Sequence, residues 1–413
     1  MDIADPRTLG FDPDRLSRIA AWMESYIDRR RYPGASILIA RDGQEVYAHT
    51  CGQRNIQADL PFERDTVARI YSMTKPVTSV AVMMLIERGL FPLETPVSEF
   101  IPAFSQMQAL LPGAERLDQV AKTRTPSIHQ LLTHTSGLSY SFNAGLVCEA
   151  MGEQKLDFGP DARDIETVSN QLAELPLVFT PGSRWEYSVG IDVLGRVIEV
   201  ASGQSLDEFF TQQIFAPLGM SDTAFRVAPG TGDRFAALYT PLEGDPMSVD
   251  APVQGGETLN LSDAPEGSAY HTTQCYSGGG GLLGTIDDYM RFAEMLRSGG
   301  AGAYGRLLSP KTLDFMMRNH LAGDIADMGP TSFAEQPMFG TGFGIGGAVV
   351  REPGRVGIPG SVGDFGWGGM ASTYFWVDRV NRLSVVFFTQ LAPSSSYPSR
   401  SEMKALVHGA MTA

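Results

Sequence analysis

Ile70-Tyr71-Ser72-Met73-Thr74-Lys75-Pro76 runs without a break into Val77-Thr-Ser-Val-Ala-Val-Met-Met-Leu-Ile-Glu-Arg-Gly89. The stretch reads as a helix that opens on a Ser-x-x-Lys pair. Pro76 fits only a first helical turn, where a missing backbone donor costs little. Gly89 supplies the stop. Ser72 therefore sits at or just before the helix N-terminus, and Lys75 about one turn on. Residues three apart share a helix face, so the ammonium reaches the hydroxyl. The positive end of the helix dipole points the same way. A serine needs a base to become a nucleophile, and a desolvated lysine can serve. Alone, the pattern reads equally well as a serine cap followed by a solvated lysine, so the rest of the chain decides.

Upstream, Asp12-Pro13 is an N-cap and helix start, and Leu16, Ile19, Met23, Tyr26 and Ile27 recur at helical spacing over about 13–30. Residues 34–40 read as an apolar strand, Asp42-Gly43 as a hairpin turn and 45–49 as the returning strand. The far end mirrors this. Two strands, 371–377 and 383–390, are joined by 378–382, and a last helix starts at Ser399 with Glu402 completing a capping box. Helix–hairpin at one end and hairpin–helix at the other predict one antiparallel sheet built from both termini and flanked by helices, an α+β layer. Residues 92–245 carry helical pieces at 127–132, 191–201 and 206–215 with few strand-like runs. They are read as a mainly helical second domain, against a sheet domain of 1–91 and 246–413. Glycines 278–281 precede a helix over 282–296. The long loops 227–272 and 320–340 are expected to shape a pocket.

The chain has 413 residues, 43 % hydrophobic and 19 % charged, ordinary for a globular protein. Its formal charge of −15 argues against nucleic acid and anionic membranes as partners. Cys51, Cys148 and Cys275 form no C-x-x-C pair, so neither a disulfide framework nor a cysteine-rich metal site is expected. The first residues lack a basic start and an apolar core, and no apolar run reaches the roughly 20 residues of a membrane helix. A cytoplasmic protein is expected. There is no Gly-x-Ser-x-Gly, no H-E-x-x-H and no Walker loop. Neither metal nor cofactor is expected. His134 reads as a turn residue rather than a base.

Two further elements bear on Ser72. Pro181-Gly-Ser-Arg-Trp-Glu-Tyr187-Ser188 is a tight turn that delivers a tyrosine to a helix start. A tyrosine hydroxyl near a cation can shuttle protons, although a tyrosine is more often a packing residue. Gly363-Asp-Phe-Gly-Trp367-Gly368-Gly369-Met370-Ala371 is a glycine-rich approach to a strand, and such glycines let a ligand or another backbone come close.

Taken together, Ser72-Met-Thr-Lys75, Leu131-Leu-Thr-His-Thr-Ser-Gly-Leu138, Pro181–Ser188, Ala216-Pro-Leu-Gly-Met220 and Ser277-Gly-Gly-Gly-Gly281 resemble the serine β-lactamase and penicillin-binding-protein superfamily. Within it, they resemble the class C β-lactamase-like esterases called family VIII carboxylesterases. The resemblance covers most of the chain. It implies a β-lactamase/transpeptidase-like fold with a cleft between sheet and helical domain. It implies Ser72 as nucleophile, Lys75 as base partner and Tyr187 as third member. It places the backbone amides of Ser72 and Met370 in the oxyanion hole, with Trp367, Gly368 and Gly369 along the substrate. Two departures narrow the chemistry. Where the β-lactamases carry Tyr-x-Asn, this chain has Tyr187-Ser188-Val189. Where they carry Lys-Thr-Gly, it has Trp367-Gly368-Gly369. An indole in place of a cation disfavours anionic substrates and adds apolar contact.

The resulting expectation is hydrolysis of small neutral esters through an acyl-enzyme on Ser72. Acyl transfer to an alcohol at the same site, β-lactamase or D,D-peptidase action, and a non-catalytic binding scaffold are the alternatives. Whether Lys75 or Tyr187 is the base in each step stays open at this level.

Overall fold

The computed structural model describes residues 3–242 and 259–412. Its centre is an eight-stranded antiparallel sheet. In chain order the strands are β1 (Gly34–Arg41), β2 (Gln44–Asn55), β3 (Leu60–Pro61), β4 (Thr341–Phe343), β5 (Ala348–Val350), β6 (Phe365–Gly368), β7 (Tyr374–Asp378) and β8 (Leu383–Thr389). They lie side by side as β4-β5-β6-β7-β8-β1-β2-β3. The two termini are thus zipped together along β1 and β8, with Ile37 opposite Phe387 and Ile39 opposite Val385. Asp42 and Gly43, both at positive φ (54° and 80°), make the β1–β2 turn, the backbone twist that tight hairpins favour.

Every residue of β1, β7 and β8 is buried, because the sheet is covered on both faces. Side chains alternate between two cores, as the pleat requires. Leu38, Val386, Phe388 and Phe375 join a large cluster with helices α2 (Thr74–Glu87), α3 (Gly190–Ser202) and α4 (Ile286–Arg297). Ile37, Ile39, Val385, Phe387 and Trp376 face the other way, onto α1 (Pro13–Asp28) and α5 (Ser399–Gly409). Burying each such side chain contributes roughly 1.5–3 kcal/mol. Helix α2 is buried continuously from Thr74 to Leu85, which is why its sequence is apolar all round rather than striped.

Several expectations are corrected. Ser399 and Glu402 form no capping box. Glu402 instead accepts from Trp22 Nε1 and Tyr26 Oη, each at 2.7 Å, and so pins α5 to α1. The strand expected at 371–377 begins only at Tyr374. Ala371–Thr373 are a turn, with Ser372 at φ 62°. Trp367 and Gly368, expected on the approach to a strand, lie within strand β6 itself, where Trp367 pairs with Phe375. The helix expected from 282 starts at Ile286 behind a Thr285 cap, because Leu283-Gly284 pairs with Ala68-Arg69 just ahead of Ser72. Strands β4 and β5 had no counterpart in the sequence reading.

Between residues 92 and 235 the regular structure is short helices joined by longer loops, with one small hairpin, Gln108–Leu110 against Val120–Lys122. Residues 236–239 return to the sheet region through bonds to Val67, Arg54 and Gln390. The expected boundary at 245–246 and the middle of the 227–272 loop lie outside the described residues.

Candidate active site

Tyr71–Met73 form a single 3₁₀ turn leading into α2. Tyr71 sits at φ 43°, in the left-handed region that a bulky residue rarely occupies. The turn is pinned from all sides. The Gln390 side-chain amide bonds both the N–H and the C=O of Arg69 at 3.0 Å. Ile70 N donates to Leu282 O, Leu282 N to Thr74 Oγ1 and Tyr289 Oη to Met73 O. Ser72 is left half-buried on a large cavity.

Lys75 is fully buried. Its Nζ donates to Ser72 Oγ at 3.3 Å, Tyr140 Oη at 2.8 Å and Gly279 O at 2.8 Å. These three partners hold the nitrogen against the serine. The rings of Tyr187 and Tyr140 flank it with centroids 4.6 and 5.1 Å away. Tyr140 in turn donates to Asp192 Oδ2 at 2.9 Å. Asp192 Oδ1 accepts from Gly279 N at 2.9 Å and from Ser277 Oγ. Burial pushes the Asp192 carboxyl up, while Lys75 and these donors pull it back down. Asp192 thus stands one hydroxyl away from Lys75, with both groups buried.

Tyr187 Oη donates to Ser72 Oγ at 2.5 Å. On its other side it accepts from Trp367 Nε1 at 3.4 Å. Trp367 is packed by Phe333 (5.8 Å, stacked) and Phe343 (5.2 Å, edge-on). His134 does not merely close its own turn. It is fully buried, its Nδ1 accepts from Ser188 N at 3.2 Å, and its ring lies 4.8 Å from Tyr187. Burial, then the nearby Lys75, holds its imidazole well below the usual range. His134 is therefore a neutral strut that fixes the backbone next to Tyr187.

The chain brings Ser72, Lys75, Tyr187, Trp367, Gly368, Gly369 and Met370 together, and all except the buried Lys75 line one cavity of about 880 Å³. A Cβ on Gly369 would lie 2.3 Å from Ile70 O, so only glycine lets the end of β6 close against the Ser72 turn. Neither the Ser72 amide nor the Met370 amide donates a hydrogen bond among the described residues. Val189 is buried outside the cavity lining, with its N bonded to Ser139 O. It is not a substrate contact. Tyr140 and Asp192 were missed, although Tyr140 stands two residues after the run Leu131–Leu138. Two cations on the cavity wall, Arg400 and Lys404, were missed as well. Among the described residues no group of three or more His, Cys, Asp or Glu could hold a metal ion, and no helix is long and apolar enough to cross a membrane.

With this fold and site in view, the comparisons with known proteins are specific. Residues 19–408 match the family model described as Beta-lactamase, and the chain belongs to that family. Esterase EstB of Burkholderia gladioli is 34% identical over 398 residues, 94% of each chain. A lovastatin esterase of Penicillium rubens is 29% identical over 381 residues, 87% of this chain and 89% of the relative. The solved structure of EstCE1, described as a hydrolase with promiscuous acyltransferase activity, superposes with a TM-score of 0.76 at 27% identity, over 95% of this chain and 98% of that one.

Proposed function

We propose that the chain is a serine carboxylesterase acting on small neutral esters through an acyl-enzyme on Ser72. The observation that carries this reading is that Ser72 Oγ is shared between Lys75 Nζ and Tyr187 Oη at the cavity wall. Ser72 Oγ attacks the ester carbonyl carbon, and its proton passes to the Lys75–Tyr187 pair, which enters this step as neutral amine and phenol. The carbonyl oxygen takes the displaced electron pair and is held by the Ser72 and Met370 amides, which have no competing acceptor among the described residues. One such donor is worth about 3–4 kcal/mol. Collapse breaks the bond to the alcohol oxygen, which leaves with a proton from Tyr187. Water, activated at the same hydroxyl, then releases the acid and restores Ser72.

Trp367, Gly368 and Gly369 line the substrate path. The aromatic nest around Trp367 suits an apolar portion of a neutral ester and offers a β-lactam carboxylate no cation at that position. An alcohol in place of water gives acyl transfer, a second reading favoured by the likeness to EstCE1. The same proposal keeps 92–245 as a helical unit beside a sheet unit of 1–91 and 246–413. It places the enzyme in the cytoplasm, in keeping with three free cysteines. Turnover of short-chain p-nitrophenyl esters that disappears in Ser72→Ala is the expected result. Activity persisting in that variant contradicts the nucleophile, and faster turnover of a chromogenic cephalosporin contradicts the ester preference.

A further inference from the structure

Beyond Trp367 the cavity wall changes character. Gly368 carries no side chain, and a Cβ there would lie 2.4 Å from Arg400 Nη2. That nitrogen donates to Gly369 O at 3.3 Å, so Arg400 stands one residue from the Met370 amide. Lys404 follows one turn on along α5, and both cations are buried to within a few per cent.

Each cation faces a carboxylate that it does not satisfy. Arg400 and Glu335 come no nearer than 3.6 Å, Lys404 and Asp364 no nearer than 3.8 Å. All four carboxylate oxygens are buried without a hydrogen-bond donor, and Asp364 is 2 % exposed. Behind them, Trp376 Nε1 and His408 Nε2 are also unpartnered, with Lys404 Nζ 5.4 Å from the Trp376 ring. Buried polar atoms without partners are rare and costly. Burial pushes both acids up, Glu335 to about 7 and Asp364 to about 7. Glu335 is delivered by a hairpin tip in which it and Ala334 both hold positive φ, 61° and 46°. Non-glycine residues keep that conformation only where surroundings enforce it.

We propose that this wall is a subsite for the alcohol arm of the ester, and that the arm it takes is a neutral polyol, such as a glyceryl or sugar group. The inference rests on the acyl-enzyme reading above. Each cation already stands beside an acid and each acid beside a cation, so a charged arm meets a like group next to every opposite one. Hydroxyl groups bring both the donors that the Asp364 carboxyl lacks and the acceptor that Lys404 lacks on this wall. The arm is the alcohol because the leaving oxygen must lie within reach of Tyr187 Oη. That hydroxyl borders Trp367, from which β6 leads to Gly368 and Arg400. The apolar part of the lining, with Phe142, Phe158 and Pro160, is left for the acyl chain. The bonds made and broken are those of the ester reaction already described.

The test pairs glyceryl monobutyrate with propyl butyrate, which share an acyl group and differ in two hydroxyls. The natural chain is expected to favour the glyceryl ester at least tenfold in kcat/KM. That ratio is expected to fall about tenfold in Asp364→Asn and in Lys404→Met. A second measurement needs no variant. With p-nitrophenyl butyrate as donor, glycerol is expected to outcompete equimolar 1-propanol as acyl acceptor, since both would occupy the same subsite. Equal kcat/KM for the two esters, or a preference untouched in folded variants, overturns the subsite alone. Turnover of neither ester, with no acyl-enzyme formed, overturns the esterase reading itself.

Discussion

Tyr187 Oη lies 2.5 Å from Ser72 Oγ and 3.4 Å from the indole nitrogen of Trp367. The same hydroxyl thus links the serine to the residue that replaces a cation on the adjacent strand. Tyr187→Phe removes the proton carrier but keeps the ring against His134, Phe333 and Trp367. A fall in kcat of about 10²–10⁴ is expected, with melting temperature nearly unchanged. A loss of less than tenfold contradicts proton transfer through Tyr187.

Among the described residues, Tyr140 is the only hydroxyl joining Lys75 to Asp192. Tyr140→Phe leaves a buried donor and a buried acceptor each short of a partner. A stability loss of about 1–3 kcal/mol is expected, together with at least a tenfold fall in kcat. Urea denaturation and steady-state kinetics check both halves. Unchanged kinetics in a destabilised variant would make Tyr140 structural only.

Gly369 packs against Ile70 O, where a methyl group has no room. Gly369→Ala is expected to push β6 away from the Ser72 turn and separate the Ser72 and Met370 amides. The expected cost is about 1–3 kcal/mol, with kcat falling more than KM rises. Equal activity would show that the strand end tolerates displacement.

Asp364 gives a pH dependence of known sign. Burial raises its carboxyl from 3.8 to about 7, partly opposed by Lys404 and reinforced by Asp378. Between pH 4 and 7 the folded chain holds a proton that the unfolded chain has released, so stability falls as pH rises through that window. Asp364→Asn has no such proton to lose. Its stability relative to the natural chain is therefore expected to improve by on the order of 3–4 kcal/mol between pH 4 and 8. His408, pushed down to about 4 by burial, acts in the opposite sense in both proteins and largely cancels from the difference. A difference that is flat with pH contradicts the buried acid.

Local pattern made the frame of the site legible in the sequence. Ser72 and Lys75 are three apart on one helix, and the mirrored hairpins at the two ends announce a sheet closed by β1 and β8. Contacts between distant segments were not legible. Tyr140 meets Asp192 across 52 positions, and neither residue type is unusual where it stands. Arg400 and Lys404, one turn apart on helix α5, carry no local signal that sets them apart from surface charge. Only Glu335 and Asp364, brought in by separate segments, reveal them as part of a wall. Strands β4 and β5 escaped because glycines at 342, 344, 346 and 347 erase the alternation that marks a strand. Glu402 followed the capping-box pattern at Ser399, yet its carboxylate was taken by Trp22 and Tyr26, a tertiary contact that overrides a local rule.

The acyl-enzyme on Ser72 is tested most directly by intact mass after brief incubation with a p-nitrophenyl alkylphosphonate ester, followed by peptide mapping. One phosphonyl group per chain is expected, on the peptide containing Ser72, with none in Ser72→Ala and a much slower reaction in Tyr187→Phe. An adduct on another residue, or none while ester turnover continues, would contradict Ser72 as the nucleophile.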